Sequence, residues 1–203
     1  QPGNLVNVFW KSRLIEQMGK FKIELISSVS GKIFDEKLKL QALNSVCSLL
    51  EKFLPERQNY SQIFNATNAF IDLLTFQDES KNDYWMEGYV KWEIGVLSSI
   101  GFSLDLNRCA VTGSDTNLLF VSPKTGKAVS KEGAGRHAPR LLLLPSFLGG
   151  DNVIGSNFYK EILAGLNITS YFFKNKLLLS INTNKPINLP NPRIRFVELI
   201  EKL

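Results

Sequence analysis

The sequence predicts an α+β protein that is mostly helical. Its first thirty residues contain runs with strand-like composition, and most of the remainder places apolar residues at spacings of three and four. Within the helical part, a Ser-Pro-Lys-Thr-Gly turn is flanked by short β-rich runs, which predicts a single hairpin insertion. The chain has 203 residues, of which 44% are hydrophobic, a size that suits one large domain or two small ones.

Two strands are predicted at the start of the chain, over residues 5–12 and 21–29. In the second, Phe21, Ile23 and Leu25 alternate with charged residues, which is the period of a strand with one buried face. A turn-permissive Gly-Lys step separates the two runs. A short β segment is therefore expected before the helices begin.

Three helices are predicted next, over residues 35–54, 60–76 and 83–100. The first two each carry one apolar stripe, whereas the third is apolar on two faces and holds two tryptophans, a pattern typical of a buried central helix. Glu93 lies beside those tryptophans. Since a buried carboxylate needs a partner, we interpret Glu93 as structural.

The second half of the chain is predicted to contain a hairpin and two further helices. The hairpin spans residues 117–130, a helix covers 155–181 with a break near Gly165, and the last helix runs from about Pro192 to Leu203. Proline is tolerated in the first turn of a helix, where its missing N–H costs nothing.

Composition excludes several classes of protein. Cys47 and Cys109 are the only cysteines and His137 is the only histidine, so a disulfide-stapled secreted domain, a histidine-based triad and a histidine metal site are all disfavoured. We expect both cysteines to be packing residues in a protein of a reducing compartment, and His137 to lie on a surface loop. No apolar run approaches the ~18 residues needed to span a bilayer. No phosphate-binding glycine motif is present, and no enzyme, cofactor or metal site is predicted.

The net charge of +5 is unevenly distributed. Residues 121–140 hold five basic residues against one acidic residue, and residues 171–203 hold six against two, whereas residues 61–120 hold three against eight. Basic segments that converge in space would form a footprint for a polyanion such as DNA. The alternative is a set of ordinary solvated loops, and charge alone leaves both open.

A series of short motifs resembles the RecO family of bacterial DNA repair proteins, most closely its members without a zinc site. The motifs run in the same order over essentially the whole chain, although no single one is specific. They are Trp10-Lys-Ser-Arg13-Leu14, Leu54-Pro-Glu-Arg57, Trp92-Glu93, Gly101-Phe-Ser-Leu-Asp-Leu106, Cys109-Ala-Val-Thr-Gly113, Val121-Ser-Pro-Lys-Thr-Gly126, Lys127-Ala-Val-Ser130 and Leu144-Pro-Ser-Phe-Leu148.

The resemblance implies an N-terminal OB-fold followed by a helical domain. Residues 1–30 are interpreted as the last strands of the OB-fold, and residues 31–203 as the helical domain with an insertion at about 107–140. The chain begins with Gln1 rather than Met, which suggests a fragment, and the resemblance implies that the opening strands of the barrel precede it. Some relatives bind zinc through two Cys-x-x-Cys pairs, but here Thr112 replaces the partner of Cys109, and no zinc is expected.

The resemblance also implies a function. The family binds single- and double-stranded DNA, anneals complementary strands, works with RecR, contacts the acidic tail of the single-strand-binding protein SSB and helps to load RecA. A cytoplasmic, nucleoid-associated, non-enzymatic mediator is therefore expected. The alternative is a scaffold that docks the SSB tail or RecR without binding DNA itself.

Candidate binding residues follow from aromatic and basic side chains in these segments. Aromatic rings can stack on bases, while lysine and arginine hold phosphates. The candidate DNA-binding residues are Trp10, Lys11, Arg13, Lys20, Lys22, Lys124, Lys127, Lys131, Arg136 and Arg140. The candidate partner-binding residues are Lys174, Lys176, Arg193 and Arg195, which could hold an acidic peptide through charge-assisted hydrogen bonds.

Overall fold

The structure, a computed structural model, describes residues 1–14, 17–76, 83–151, 157–175 and 188–203, which form a helical body with two small antiparallel sheets. The strands are β1 (Leu5–Lys11), β2 (Lys20–Ser27), β3 (Leu118–Val121), β4 (Ala128–Ser130) and β5 (Leu142–Leu143). The helices are α1 (Val29–Lys32), α2 (Lys37–Phe53), α3 (Ser61–Thr75), α4 (Trp85–Ser99), α5 (Lys131–Ala134), α6 (Phe158–Asn175) and α7 (Asn191–Ile200). The predicted α+β, mostly helical class is confirmed.

Strands β1 and β2 pair with each other as a two-stranded antiparallel ribbon. The ribbon is tied to the body at its base, where the Val29 N–H donates to Asn4 Oδ1 at 3.1 Å and the Ser30 hydroxyl donates to Gln1 Oε1 at 2.5 Å. Both strands were correctly located from the sequence. The expected burial of one face of the second strand is wrong, since Phe21, Ile23 and Leu25 are each more than 60% exposed.

Helix α4 is the central element of the body. It packs against α3 on one side and α6 on the other, and its buried side chains include Met86, Tyr89 and both tryptophans. The prediction of a helix that is apolar on two faces is confirmed. The helix ends at Ser99, and Gly101 just beyond it has a φ of +94°, a left-handed conformation that glycine adopts without strain.

Helix α6 runs without a break from Phe158 to Asn175, so the predicted interruption near Gly165 is wrong. A side-chain carbon at Gly165 would lie 2.8 Å from Val90 Cγ1 and 3.0 Å from Phe147 Cζ. The glycine therefore permits close approach of α6 to α4 rather than a bend. Local sequence alone does not distinguish these two uses of a helical glycine.

The predicted hairpin is confirmed as β3 and β4. Its turn closes through the Ser122 N–H, which donates to the Lys127 carbonyl at 2.9 Å, and the Gly126 N–H, which donates to the Ser122 carbonyl at 2.8 Å. Strand β5 joins the other edge of β3. The basic side chains between residues 124 and 140 are exposed, on the turn of this sheet and on the short helices that follow β4.

Helix α7 packs along α2, with Pro192 in its first turn as predicted. Among the residues described, no helix is long and apolar enough to cross a membrane.

Candidate nucleic-acid interface

All of the predicted DNA-binding residues are exposed, and they fall into two groups. One group lies on the ribbon and the connection that follows β1, and the other lies on the hairpin insertion. The ribbon group is Trp10, Lys11, Arg13, Lys20 and Lys22. The insertion group is Lys124, Lys127, Lys131, Arg136 and Arg140.

The register of the ribbon assigns its side chains to two different faces. Residues directly opposite each other in an antiparallel pair point to the same side, and successive residues alternate. The apolar face consists of the pairs Val6 with Leu25, Val8 with Ile23, and Trp10 with Phe21. The basic face consists of the pairs Asn7 with Glu24, Phe9 with Lys22, and Lys11 with Lys20.

Trp10 therefore lies on the opposite face from Lys11, Lys20 and Lys22, so the prediction that Trp10 shares one DNA-binding surface with these lysines requires a correction. It also lies over Gly19, since a side-chain carbon there would be 2.3 Å from Trp10 Nε1. The aromatic residue on the basic face is Phe9, with the Lys22 ammonium 6.0 Å from its ring centroid. Alternation along β1 places Phe9 on the same face as Lys11, but only the register with β2 shows that Lys20 and Lys22 share this face, so Phe9 was not among the predicted residues.

The insertion group surrounds the hairpin. Lys127 forms an exposed ion pair with Asp105 at 3.7 Å, and the same segment is fixed by the Ala128 N–H, which donates to the Asp105 carbonyl at 2.8 Å. Lys131 begins α5, while Arg136 and Arg140 lie on the 3₁₀ helix that follows it. All five cations of the insertion group are exposed to solvent.

Cys109 is buried within the insertion, as expected, and its sulfur also accepts hydrogen bonds. Burial opposes the thiolate, yet the hydrogen bonds from Ser130 and Thr112 outweigh that effect and lower the Cys109 pKa to about 6. Sγ accepts the N–H groups of Ser130 at 3.2 Å and of Val111 and Thr112 at 3.4 Å. Among the described residues, no cluster of three or more potential metal ligands occurs.

Arg193 requires a correction, because it was predicted to bind a partner and it is 2% exposed. Its Nε donates to Glu93 Oε1 at 3.0 Å and its Nη2 donates to Glu93 Oε2 at 3.1 Å. Further donation goes to the Ser170 hydroxyl at 2.6 Å and to the Leu166 carbonyl at 3.0 Å. The guanidinium is thus fully engaged inside the body and unavailable to an acidic peptide.

The same network confirms the structural interpretation of Glu93. Its carboxylate also accepts the hydroxyls of Tyr89, at 2.8 Å, and Thr169. Burial, followed by the charge of Glu93, raises the pKa of Tyr89 well above its ordinary value, so this hydroxyl keeps its proton and remains a donor. For Arg193, burial acts to lower the pKa, but the Glu93 charge reverses this and the pKa is raised.

Of the other predicted partner-binding residues, Lys174 is exposed near the end of α6 and Arg195 is exposed in the middle of α7. Lys176 lies outside the described residues. These cations remain available for contact with an acidic partner.

An apolar groove of about 840 Å³ lies between α2 and α3, beside the start of β1. Leu50, Ile63 and Phe64 line it, and so does Cys47, which was expected to be in the core but is only half-buried. Of the partner-binding candidates that the structure describes, which are Lys174, Arg193 and Arg195, none lines the groove. Phe64 is 59% exposed, which leaves the groove open along α3.

Comparison with known proteins shows where this chain belongs. The family model "Recombination protein O C terminal" matches residues 38–185. The whole chain aligns with DNA repair protein RecO of Rhodospirillum rubrum at 37% identity, covering 78% of that protein. It aligns likewise with the proteins of the same name from Ruegeria sp. at 38% identity and Cereibacter sphaeroides at 40%, covering 79% of each. No solved structure matches the chain. The chain belongs to the RecO family of DNA repair proteins, as its motifs indicated.

Proposed function

We propose that this chain is a recombination mediator without catalytic activity, which binds single- and double-stranded DNA and anneals complementary strands. The observation that carries the proposal is the exposure of every predicted DNA-binding cation, in two groups on two different elements. Contacts of lysine and arginine with phosphates depend on charge rather than on base sequence, so the binding is sequence-independent.

Within this proposal, the protein works beside RecR on DNA coated with SSB and helps RecA to load. The acidic tail of SSB is a chemical match for exposed cations such as Lys174 and Arg195. The protein would act in the cytoplasm, at the nucleoid. Support for this setting comes from the DNA repair family to which the chain belongs.

The test is a salt titration of binding to a fluorescent oligonucleotide, as single strand and as duplex, together with strand annealing. If about five phosphates are neutralised, the log of affinity falls with the log of salt with a slope of roughly −4.5 on duplex. Replacing Lys124, Lys127 and Lys131 by glutamate should make this slope shallower and abolish annealing.

A matched control reverses three exposed lysines elsewhere on the helical body, Lys37, Lys160 and Lys202. Both triple variants change the net charge from +5 to −1, so only the position of the charges differs. The control variant should keep most of the wild-type slope. A wild-type slope near zero, or equal losses in the two variants, would contradict the proposed role of the insertion.

The second candidate function is a scaffold that docks the SSB tail or RecR without contacting DNA. The apolar groove between α2 and α3 favours it, because a short acidic and hydrophobic peptide could lay its apolar side chains there. A fluorescein-labelled peptide of the SSB tail separates the two functions. A scaffold binds this peptide in both the wild-type and the lysine-to-glutamate chains, and neither chain binds DNA.

A further inference from the structure

The basic face of the ribbon combines one exposed aromatic ring with three lysines. Lys11 and Lys20 form the cross-strand pair next to Phe9 and Lys22, at the end of the ribbon where Arg13 follows. Phe9 is 50% exposed in spite of its place in a strand. The Lys22 ammonium lies 6.0 Å from the ring centroid, and the exposed part of the ring favours contact with another apolar or aromatic surface over contact with water.

Among the paired residues that the structure describes on this face, Glu24 is the acidic one, and Phe9 lies between it and the Lys11–Lys20 pair. Glu24 accepts an ion pair from Lys22 at 2.7 Å, and both side chains are largely exposed. The face thus has a strongly basic end, an aromatic centre and a neutralised far end. Its charge complements a polyanion most strongly around Lys11, Lys20 and Phe9.

An aromatic ring between cations distinguishes an unpaired strand from a duplex. The bases of a duplex are already stacked on each other, so a surface ring meets only sugar and phosphate. In an unpaired strand a base can turn out and stack on the ring, while flanking phosphates reach the ammonium groups. The lysines alone would bind either form.

The opposite face offers no such combination. Trp10 has aliphatic neighbours and Phe21 on its own face, and it lies against Gly19. The two faces of one ribbon therefore give an internal comparison between an aromatic residue with cations and one without them.

We propose that Phe9 stacks on a base of a single-stranded nucleic acid, while Lys11, Lys20 and Lys22 hold the flanking phosphates. This inference rests on the proposed DNA-binding function and adds the residue that makes the ribbon prefer unpaired strands. The preference for single strands over duplex is assigned to Phe9, and not to Trp10 or to the insertion.

The experiment compares Phe9→Leu with Trp10→Leu in the whole chain. Leucine keeps an apolar side chain in the strand, and neither change alters charge. The probes are a fluorescein-labelled oligothymidylate and a duplex of the same length, each titrated at two salt concentrations. Circular dichroism and thermal unfolding of each variant establish that the fold is retained.

Phe9→Leu should weaken single-strand binding by roughly tenfold and duplex binding by less than about twofold, because stacking on one ring is lost and no phosphate contact is. The salt dependence of single-strand binding should stay unchanged, since the number of phosphate contacts does. Phe9→Trp should restore single-strand binding, and Trp10→Leu should leave the preference for single strands intact.

Equal losses on both probes, no loss on either, or the same loss in Trp10→Leu would overturn the role of Phe9 while leaving the proposed DNA binding in place. Failure of the wild-type chain to bind either probe would overturn the proposed function, and this inference with it.

Discussion

The helical body and the β1–β2 ribbon each pair a carboxylate with a cation, and the two pairs differ in their surroundings. Glu93 and Arg193 meet at 3.0 Å with both side chains almost completely buried. Lys22 and Glu24 meet at 2.7 Å with side chains 75% and 49% exposed. The exposed pair has the shorter distance, although water can replace each of its partners. Distance alone therefore does not tell which pair stabilises the fold.

The contribution of each pair to stability depends on whether the pair is buried or exposed. Separating a buried pair leaves a charge without water and without a partner, whereas an exposed pair separates into solvent at little cost. Arg193 is consequently a residue that holds α7 against α4 and α6. Lys22 stays available to exchange Glu24 for a phosphate. A carboxylate–cation pair is thus structural in the helical body, whereas on the ribbon the proposed use of its cation is binding.

The largest effect is expected when the buried pair is broken. Replacing Arg193 by methionine leaves the Glu93 carboxylate uncompensated among apolar side chains, which should lower the free energy of unfolding by about 3–5 kcal/mol. Urea denaturation followed by circular dichroism measures it. The matched control is Arg195→Met on the exposed side of the same helix, with an expected change of less than about 0.5 kcal/mol.

A double variant sharpens this result. Replacing both Glu93 and Arg193 by methionine removes the uncompensated charge, so its cost should be smaller than the sum of the two single changes. If the free-energy losses of the two single variants simply add in the double variant, the interaction between Glu93 and Arg193 is not what stabilises the fold.

An intermediate effect on the free energy of unfolding is expected when Cys109 is replaced, and this effect should depend on pH. Its pKa in the folded protein is about 6, below the roughly 8.5 of an unfolded cysteine. Between these values the unfolded chain binds a proton that the folded chain does not, so stability rises with pH. The contribution is complete above the unfolded pKa and is lost as pH falls through about 6.

The measurement is the free energy of unfolding of the wild-type chain and of Cys109→Ala across this range. As pH rises through this range, the free energy of unfolding of the wild-type chain should increase relative to that of the variant by about 1 kcal/mol per pH unit. A constant difference between the two would mean that the sulfur stays protonated and only packs.

The sequence was sufficient for features that depend on neighbours along the chain. The 3.6-residue period predicted α2, α3 and α4, and the turn at Ser122–Gly126 predicted the hairpin. The two-faced apolar pattern of α4 also predicted its central position. Each of these follows from backbone geometry and residue propensity within a few turns.

The sequence was insufficient where a residue's role depends on a distant partner. Glu93 and Arg193 are a hundred positions apart, so the need of Glu93 for a cation could be recognised but not which cation. Phe9 and Trp10 are adjacent in sequence, and only pairing with β2 determines which of them shares a face with Lys22. The exposure of the cations of the insertion, by contrast, could be predicted from local sequence, because charged residues on and after a hairpin turn lie at the surface.

The smallest effect on stability is expected from the exposed pair, where Glu24→Gln removes the carboxylate and keeps the shape of the side chain. The free energy of unfolding should change by less than about 0.5 kcal/mol, because solvent replaces the lost interaction. Single-strand binding should nevertheless strengthen by a few fold at low salt, since Lys22 no longer has a competing carboxylate beside it.

Salt makes this prediction specific, because the advantage of Glu24→Gln should fade as ionic strength rises and screening weakens the competing pair. Glu56→Gln, which removes an exposed carboxylate from the helical body, controls for the change in net charge. An equal gain in both variants would assign the effect to net charge alone. A gain confined to Glu24→Gln would mean that the single strand binds to the basic face itself. It would also mean that Glu24 competes with the strand for Lys22, and that this exposed pair, unlike the buried Glu93–Arg193 pair, separates when a phosphate arrives.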